Sequence, residues 1–265
     1  MAESFYKSLD IGKDVANTRT LLHEAIPLTG TIVSGTYGTD NIKNYAHGMF
    51  QSVYDYPYLS SSANHIFDIT VGVGSESPLV VANQSAKKLN IYNQMAQVLM
   101  GYDHTGSIQR FDEDGDILAG GAKLDNVFFM NYSRLLSKDE IKKGTFELEL
   151  GVKPTYAHNG SVFTNRIKLT DFSGSDGYFV NSPVGEYGIL YATQSSHVGT
   201  AVLAENKRYP VGLLFYQAGV AVVSGSIFND VALGGILHNS FGHVLMNGPS
   251  TTSEGLDQVL TGSTI

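Results

Sequence analysis

The sequence predicts a mainly β protein, a β-sandwich or barrel-like fold with one main α-helix and extended arms. The first reason is that β-prone runs follow one another through the second half of the chain, with Gly, Asn, Asp and Ser between them. Such regularly spaced turn signals are typical of sandwiches and barrels. The second reason is that one stretch stands apart from this pattern, because Gln84 to Tyr102 has apolar residues at helical spacing.

Strands are predicted where apolar and polar residues alternate or where β-prone residues run together. In TFELELGV, the side chains of Phe146, Leu148 and Leu150 face one way because successive residues of a strand point to opposite faces. The other predicted strands are HIFDITVGV (65–73), RIKLTDF (166–172), GYFVNS (177–182), EYGILYATQ (186–194), YPVGLLFYQ (209–217) and VAVVSGSIF (220–228).

The predicted helix, Gln84 to Tyr102, has a broad apolar surface. Its apolar residues are Leu89, Ile91, Tyr92, Met95, Ala96, Val98 and Leu99. They cover more than one stripe, which predicts burial on more than one side of the helix. Gly101 stands where a helix commonly ends.

Three regions are predicted along the chain. Residues 1–45 hold a short helix, ended by Pro27, and an extended arm rich in Gly and Thr. Residues 46–228 form the β-rich core with its helix, 84–102. Residues 229–265 are rich in Gly, Ser and Thr and weakly periodic, which predicts an extended tail.

Composition and charge exclude several kinds of partner. Charged residues make up 16% of the chain and the formal net charge is −8, with no run of Lys and Arg longer than a pair. We therefore expect no nucleic-acid partner and no membrane partner. Cys is absent, so no disulfide or thiolate metal site is available, which fits assembly in a reducing cytoplasm.

The most acidic segment, DEDGD, is the one candidate for a metal site. Asp112, Asp114 and Asp116 resemble the start of a calcium loop. An EF-hand places Gly at its sixth position and Glu at its twelfth, whereas this segment has Gly115 fourth and Lys123 twelfth. A plain acidic turn is the favoured interpretation, and a weak calcium site is the alternative.

Catalytic and cofactor motifs are absent from the sequence. The eight His residues are scattered without a zinc-binding spacing. VGVGSE (71–76) lacks the third Gly of a dinucleotide loop, and neither a nucleophile elbow nor a phosphate-binding lysine motif occurs. We therefore predict a protein that is not an enzyme and that uses no cofactor.

Two groups of residues are candidates for protein interfaces. Tyr54, Tyr56 and Tyr58 occupy alternate positions, so an extended segment would place them on one face. Such a strip suits subunit contact or packing, with a sugar as the alternative ligand. The second group, Ile32, Val33 and Tyr37, lies in the Gly/Thr-rich arm, which could add a strand to a neighbouring sheet.

Three stretches resemble virion structural proteins of large, contractile-tailed, cyanophage-like marine bacteriophages. They are Leu21 to Gly72, Phe128 to Gly151 and Tyr209 to Phe228. The resemblance implies a tail, baseplate or neck subunit of a virion, assembled in the bacterial host cytoplasm. Its partners would be other virion proteins and copies of itself. A module of the tail that binds host glycans and a capsid decoration protein are the alternatives.

Overall fold

The computed structural model describes residues 41–45, 49–77, 80, 86–113, 115, 123–136, 140–151, 166–193 and 208–228. These residues contain one α-helix, α1 (Ala86–Leu99), and ten strands. The strands are β1 (Ile42–Asn44), β2 (Gln51–Tyr54), β3 (His65–Val73), β4 (Asn126–Asn131), β5 (Glu147–Gly151), β6 (Arg166–Thr170), β7 (Phe179–Ser182), β8 (Gly185–Thr193), β9 (Arg208–Phe215) and β10 (Val220–Ser224). The predicted N-terminal helix, the arm before residue 41 and the tail 229–265 lie outside the described residues.

All ten strands belong to one antiparallel sheet. Its order is β1-β2-β3-β4-β10-β9-β8-β6-β5, and β7 pairs with β8 beside this path. The prediction of a mainly β fold with one helix is therefore confirmed. The choice between a sandwich and a barrel stays a prediction.

One row of paired residues crosses six strands and defines an end of the sheet. The row is Asp68, Asn131, Val220, Phe215, Tyr187 and Phe179. Because neighbouring strands are antiparallel, the β2–β3 loop, the β9–β10 turn and the β7–β8 turn all lie beyond this row, on the same side. We call this side the loop end of the sheet.

The sheet has apolar side chains on both faces. Alternation sends Phe129, Leu213 and Val222 to the face that α1 covers. Their neighbours along the chain, Met130, Leu214 and Val223, enter a second core on the opposite face, which partly buried side chains from Leu135, Ile141 and Phe146 help to cover. Alternation continues along β5, where Leu148 and Leu150 join the second core, as the sequence predicts.

The helix lies close to the sheet because β3 has Gly72 beneath it. A Cβ atom at this position would lie 2.5 Å from Cε2 of Phe129 and 3.2 Å from the Cα of Tyr92 on the helix. A side chain there requires the Phe129 ring to shift and the helix to give by a few tenths of an ångström. Gly72 therefore permits the close approach of the helix to the sheet.

The C-terminal end of the predicted helix was wrong by three residues. The helix ends at Leu99, and Gly101 follows with φ of 82°, a left-handed conformation that terminates helices. Burial on more than one side was also wrong, since Val98 is 56% exposed. A single buried stripe, which includes Ile91, Tyr92 and Ala96, faces the sheet.

The predicted strands are present: β3 has the predicted bounds, β8 is shifted by one residue, and the others are shorter than predicted. The largest difference is in VAVVSGSIF, whose second half forms a 3-10 helix, Gly225–Phe228, after β10 ends at Ser224. In the part of the chain that is described, no helix is long and apolar enough to span a lipid bilayer.

Candidate interaction site

The loop between β2 and β3, residues 55–64, is fixed at its base by two facing residues. The backbone N–H of Asp55 donates to the carbonyl of Asn64 over 3.1 Å. Asn64 returns two hydrogen bonds to the Asp55 carboxylate, from its backbone N–H at 2.6 Å and from Nδ2 at 2.8 Å. Burial is the largest single influence and raises the pKa of Asp55, but the hydrogen bonds together outweigh it and hold that pKa below its usual value.

Asn41 supports the same base from the neighbouring strand. Its Nδ2 donates to the carbonyl oxygens of Tyr54 at 3.2 Å and Asp55 at 3.1 Å, and the residue is almost fully buried. Asn41 immediately precedes β1, which pairs with β2. The loop is therefore connected to both strands that flank β2.

Two turns shape the loop above its base. The Ser60 N–H donates to the Pro57 carbonyl at 2.7 Å, and the Ala63 N–H donates to the Ser60 carbonyl at 3.2 Å. The rings of Tyr54 and Tyr58 lie 6.3 Å apart, within the range of a favourable aromatic pair. These contacts give the loop a defined conformation before any partner arrives.

The tip of the loop presents apolar side chains to solvent. Tyr56 is 42% exposed, Tyr58 is 37% exposed and Leu59 is 87% exposed. We call these three residues the loop tip. Sequence reasoning missed Leu59, although an apolar residue directly before SSSAN stands out in a turn-forming segment.

The predicted extended strip of alternate tyrosines is wrong. The strand β2 ends at Tyr54, and the chain turns from Asp55 onward. Tyr54, Tyr56 and Tyr58 therefore do not share one face of a strand. That these tyrosines form an interface stays a prediction. The structure places Tyr56 and Tyr58 on a folded loop. Ile32, Val33 and Tyr37 lie outside the described residues.

A chain of polar side chains, largely buried, crosses β2 and β3 close to the loop base. Oδ1 of Asp68 accepts a hydrogen bond from Oγ of Ser52 at 2.5 Å and contacts Nε2 of His65 at 2.7 Å. In a regular strand, residues three apart point to opposite faces. His65 and Asp68 meet because the pairing of β3 with β2 is irregular between Val53 and Tyr54. The serine hydroxyl contacts the carboxylate and not the imidazole, which differs from the order of a Ser–His–Asp triad.

The acidic segment holds an internal ion pair. Asp112 is fully buried, and its carboxylate pairs with the Nζ of Lys123, the residue at the twelfth position of the calcium-loop comparison. The lysine ammonium therefore competes with any cation for this carboxylate. Asp114 and Asp116 lie outside the described residues. Among the residues that are described, no three His, Asp or Glu side chains are grouped so that they could hold a metal ion.

A second polar cluster, at the loop end, joins residues that are far apart in the sequence. Nζ of Lys143 pairs with Glu140 at 2.8 Å and with Glu186 at 2.7 Å. Burial lowers the pKa of Lys143, but the hydrogen bonds to the two carboxylates raise it above its usual value. The same ammonium lies 5.2 Å from the ring centroid of Tyr216.

The buried carboxylate of Asp171 is hydrogen-bonded from three sides beside this cluster. It accepts from the N–H groups of Gly144 at 2.7 Å and Phe146 at 2.8 Å, and from the Tyr216 hydroxyl at 3.1 Å. Burial raises its pKa, and the three hydrogen bonds offset only part of that effect. The cluster connects the segment before β5 to β6, β8 and β9, a role in stability.

Comparison with known proteins found no match. None of the protein-family models, curated proteins or solved structures compared with this chain matches it.

Proposed function

We propose that this chain is a structural subunit of a tailed-phage virion, in the tail, baseplate or neck, that acts by binding other protein subunits. The observation that carries the proposal is the exposed loop tip on a hydrogen-bonded base. Leu59 exposes 87% of its surface in a loop whose base is hydrogen-bonded. The assignment to a virion rests on the resemblance of the three sequence stretches to virion structural proteins.

The energetics of the loop tip favour a protein partner. Burying one large apolar side chain contributes roughly 1.5–3 kcal/mol. A fixed loop also lowers the entropic cost of association, because it does not need to be ordered on binding. Tyrosine is enriched at protein interfaces for its large, partly polar contact area. The loop tip combines these three features.

A glycan is the alternative ligand, because the rings of Tyr56 and Tyr58 are exposed next to Ser60, Ser61 and Ser62. A sugar stacks on aromatic rings and hydrogen-bonds to nearby polar groups. Leu59, the most exposed apolar side chain of the loop, offers a sugar no hydrogen bond. Its position favours the protein partner. A capsid decoration protein would use the same kind of contact.

Quantitative mass spectrometry of washed, gradient-purified phage particles tests the proposal. We expect the chain in intact particles, in copy numbers that are small multiples of about three or six for a tail part. Copy numbers on the order of hundreds would place it in the shell. Absence from washed particles, or stoichiometric binding of the purified chain to a glycan array, would contradict the proposed role.

A further inference from the structure

The segment between α1 and β4 brings a lysine and an aspartate together in a largely buried place. Asp112 and Lys123 lie directly opposite each other in an isolated antiparallel bridge. The Nζ atom of Lys123 contacts Oδ2 of Asp112, whose side chain is 0% exposed, while the lysine side chain is 18% exposed. An amine and a carboxyl group are thus held in contact with little access to water.

The neighbouring residues hold the backbone on both sides of this contact. The N–H of Leu124 donates to the carbonyl of Phe111 over 3.0 Å. Both residues are buried in the core that α1 covers. Because successive residues of an extended segment point to opposite sides, Asp112 and Lys123 lie on the other side of this bridge. Core packing of Phe111 and Leu124 therefore keeps the aspartate and the lysine in register.

The surroundings of the contact favour the neutral amine. Burial lowers the pKa of Lys123, and the positive charge of Arg110 lowers it further. A buried ion pair also loses the hydration of both charges, which offsets much of its attraction. Transfer of the ammonium proton to the carboxylate of Asp112 removes that cost and leaves a neutral amine beside a carboxylic acid. The neutral amine is the nucleophilic form of lysine.

A further carboxyl group lies on the same side of the bridge. Alternation places Asp125 next to Lys123 on that side. Nη1 of Arg110 donates to Oδ1 of Asp125 at 3.0 Å. Burial raises the pKa of Asp125, Arg110 lowers it and the charge of Glu76 raises it again, so that the pKa stays above its usual value. A carboxyl group with a raised pKa takes up and returns a proton more readily than an ordinary aspartate.

We infer that Lys123 and Asp112 form an isopeptide bond in the folded chain, between Nζ of the lysine and Cγ of the aspartate. The lone pair of Nζ attacks Cγ, Nζ loses one proton, and the carboxyl hydroxyl leaves with that proton as water. One C–N bond forms and one C–O bond breaks. Nothing is oxidised or reduced, so no co-reactant is required. Asp125 carries the proton from Nζ to the leaving hydroxyl.

Proximity makes this condensation feasible without an enzyme. Well-oriented intramolecular reactions reach effective molarities of about 10⁵–10⁸ M, and the fold holds these two groups in contact. The bond closes a ring across residues 112–123 and restricts the unfolded chain, as a disulfide does. It would supply a covalent cross-link to a chain that contains no Cys. The inference goes beyond the proposed function, because the bond forms within one chain whatever its partners are.

Mass spectrometry of the purified full chain, intact and after trypsin digestion, tests the inference. Without the bond, trypsin cuts after Arg110, Lys123 and Arg134 and releases residues 111–123 and 124–134 as two peptides. With the bond, the lysine is acylated and resists trypsin, so residues 111–134 remain one peptide that is lighter by one water molecule. Fragment ions that report single backbone cleavages inside the ring should be missing from its spectrum.

Two lysine variants serve as controls. Lys123→Arg keeps the positive charge but forms no amide, so this chain should have the full mass of its sequence. Lys87→Arg, at an exposed lysine of α1, should still lack one water molecule. Asp125→Asn should slow the accumulation of the linked peptide after denaturation-free purification of freshly synthesised chain, and an unchanged rate would remove Asp125 from the mechanism.

Two outcomes would overturn the inference. One is a wild-type chain of full mass that trypsin cuts after Lys123. The other is a loss of water that Lys123→Arg retains, since the sequence Asp114-Gly115 can lose water on its own by forming a succinimide. A succinimide also leaves Lys123 open to trypsin, which separates the two reactions. Neither outcome bears on the proposed function, which depends on the presence of the chain in washed particles.

Discussion

The hydroxyl of Tyr216 donates a hydrogen bond to Oδ2 of Asp171 over 3.1 Å, and both residues are fully buried. Glycine makes room for this contact. A Cβ atom at Gly174 or at Gly188 would collide with the same hydroxyl. The bond therefore joins the turn after β9 to the loop after β6, and the hydroxyl packs against Gly188 of β8.

Removal of this hydroxyl should destabilise the fold. Tyr216→Phe leaves one carboxylate oxygen of Asp171 without its side-chain donor, and we expect a loss of about 1–3 kcal/mol in the free energy of unfolding. Urea denaturation measures it. Tyr102→Phe, on an exposed tyrosine, is the matched control and should change the free energy by less than about 0.5 kcal/mol. Equal effects of the two substitutions would mean that the buried bond contributes nothing.

Asp171 should make stability depend on pH in an unusual direction for a carboxylate. Burial raises its pKa in the folded protein above 3.8, so the folded state binds a proton more readily than the unfolded state. The contribution of Asp171 is therefore largest in acid and is lost as the pH rises through its folded-state pKa. Between pH 7 and pH 4, wild type should gain stability relative to Asp171→Asn. A constant difference between the two unfolding curves would exclude the raised pKa.

Lys88 should give the opposite trend at alkaline pH. It lies on the buried side of α1, and burial, with a smaller contribution from the charge of Lys87, lowers its pKa from 10.5 to about 8. Stability attributable to Lys88 should rise as the pH increases from 7 to about 9.5, because the unfolded chain holds more protons there. Lys88→Met should remove this rise, whereas Lys142→Met, at an exposed lysine, should retain it. Thermal unfolding at four pH values measures the difference.

Gly72 should be intolerant of a side chain. Gly72→Ala forces a methyl group against Phe129 and Tyr92, and overpacking of this kind costs typically about 1–3 kcal/mol. Phe129→Leu in the same chain should restore part of the loss, because it shortens the side chain that the methyl group meets. A double-mutant cycle by chemical denaturation measures this coupling. Additive losses would show that Phe129 does not limit the space at Gly72.

Alternation in the sequence was sufficient to predict β5, where the exposed Glu147 and Glu149 alternate with the partly buried Leu148 and Leu150. The strip of tyrosines failed because the prediction assumed extended backbone beyond Tyr54, whereas hydrogen bonds between Pro57, Ser60 and Ala63 fold that segment into turns. Leu59 was overlooked for the same reason.

The buried polar cluster had no local signal at all. Glu140, Asp171, Glu186 and Tyr216 come from four separate segments, and only the antiparallel strand order brings them to one end of the sheet. Such sites depend on topology, which a periodicity argument does not give.

Hydroxyl-radical footprinting of intact particles beside the free chain is the most direct test of the central claim. Tyr56, Tyr58 and Leu59 should be oxidised readily in the purified chain and strongly protected in the particle, because another protein subunit covers them there. Equal oxidation of these three side chains in both samples would show that the loop tip faces solvent in the assembly, and would contradict the account.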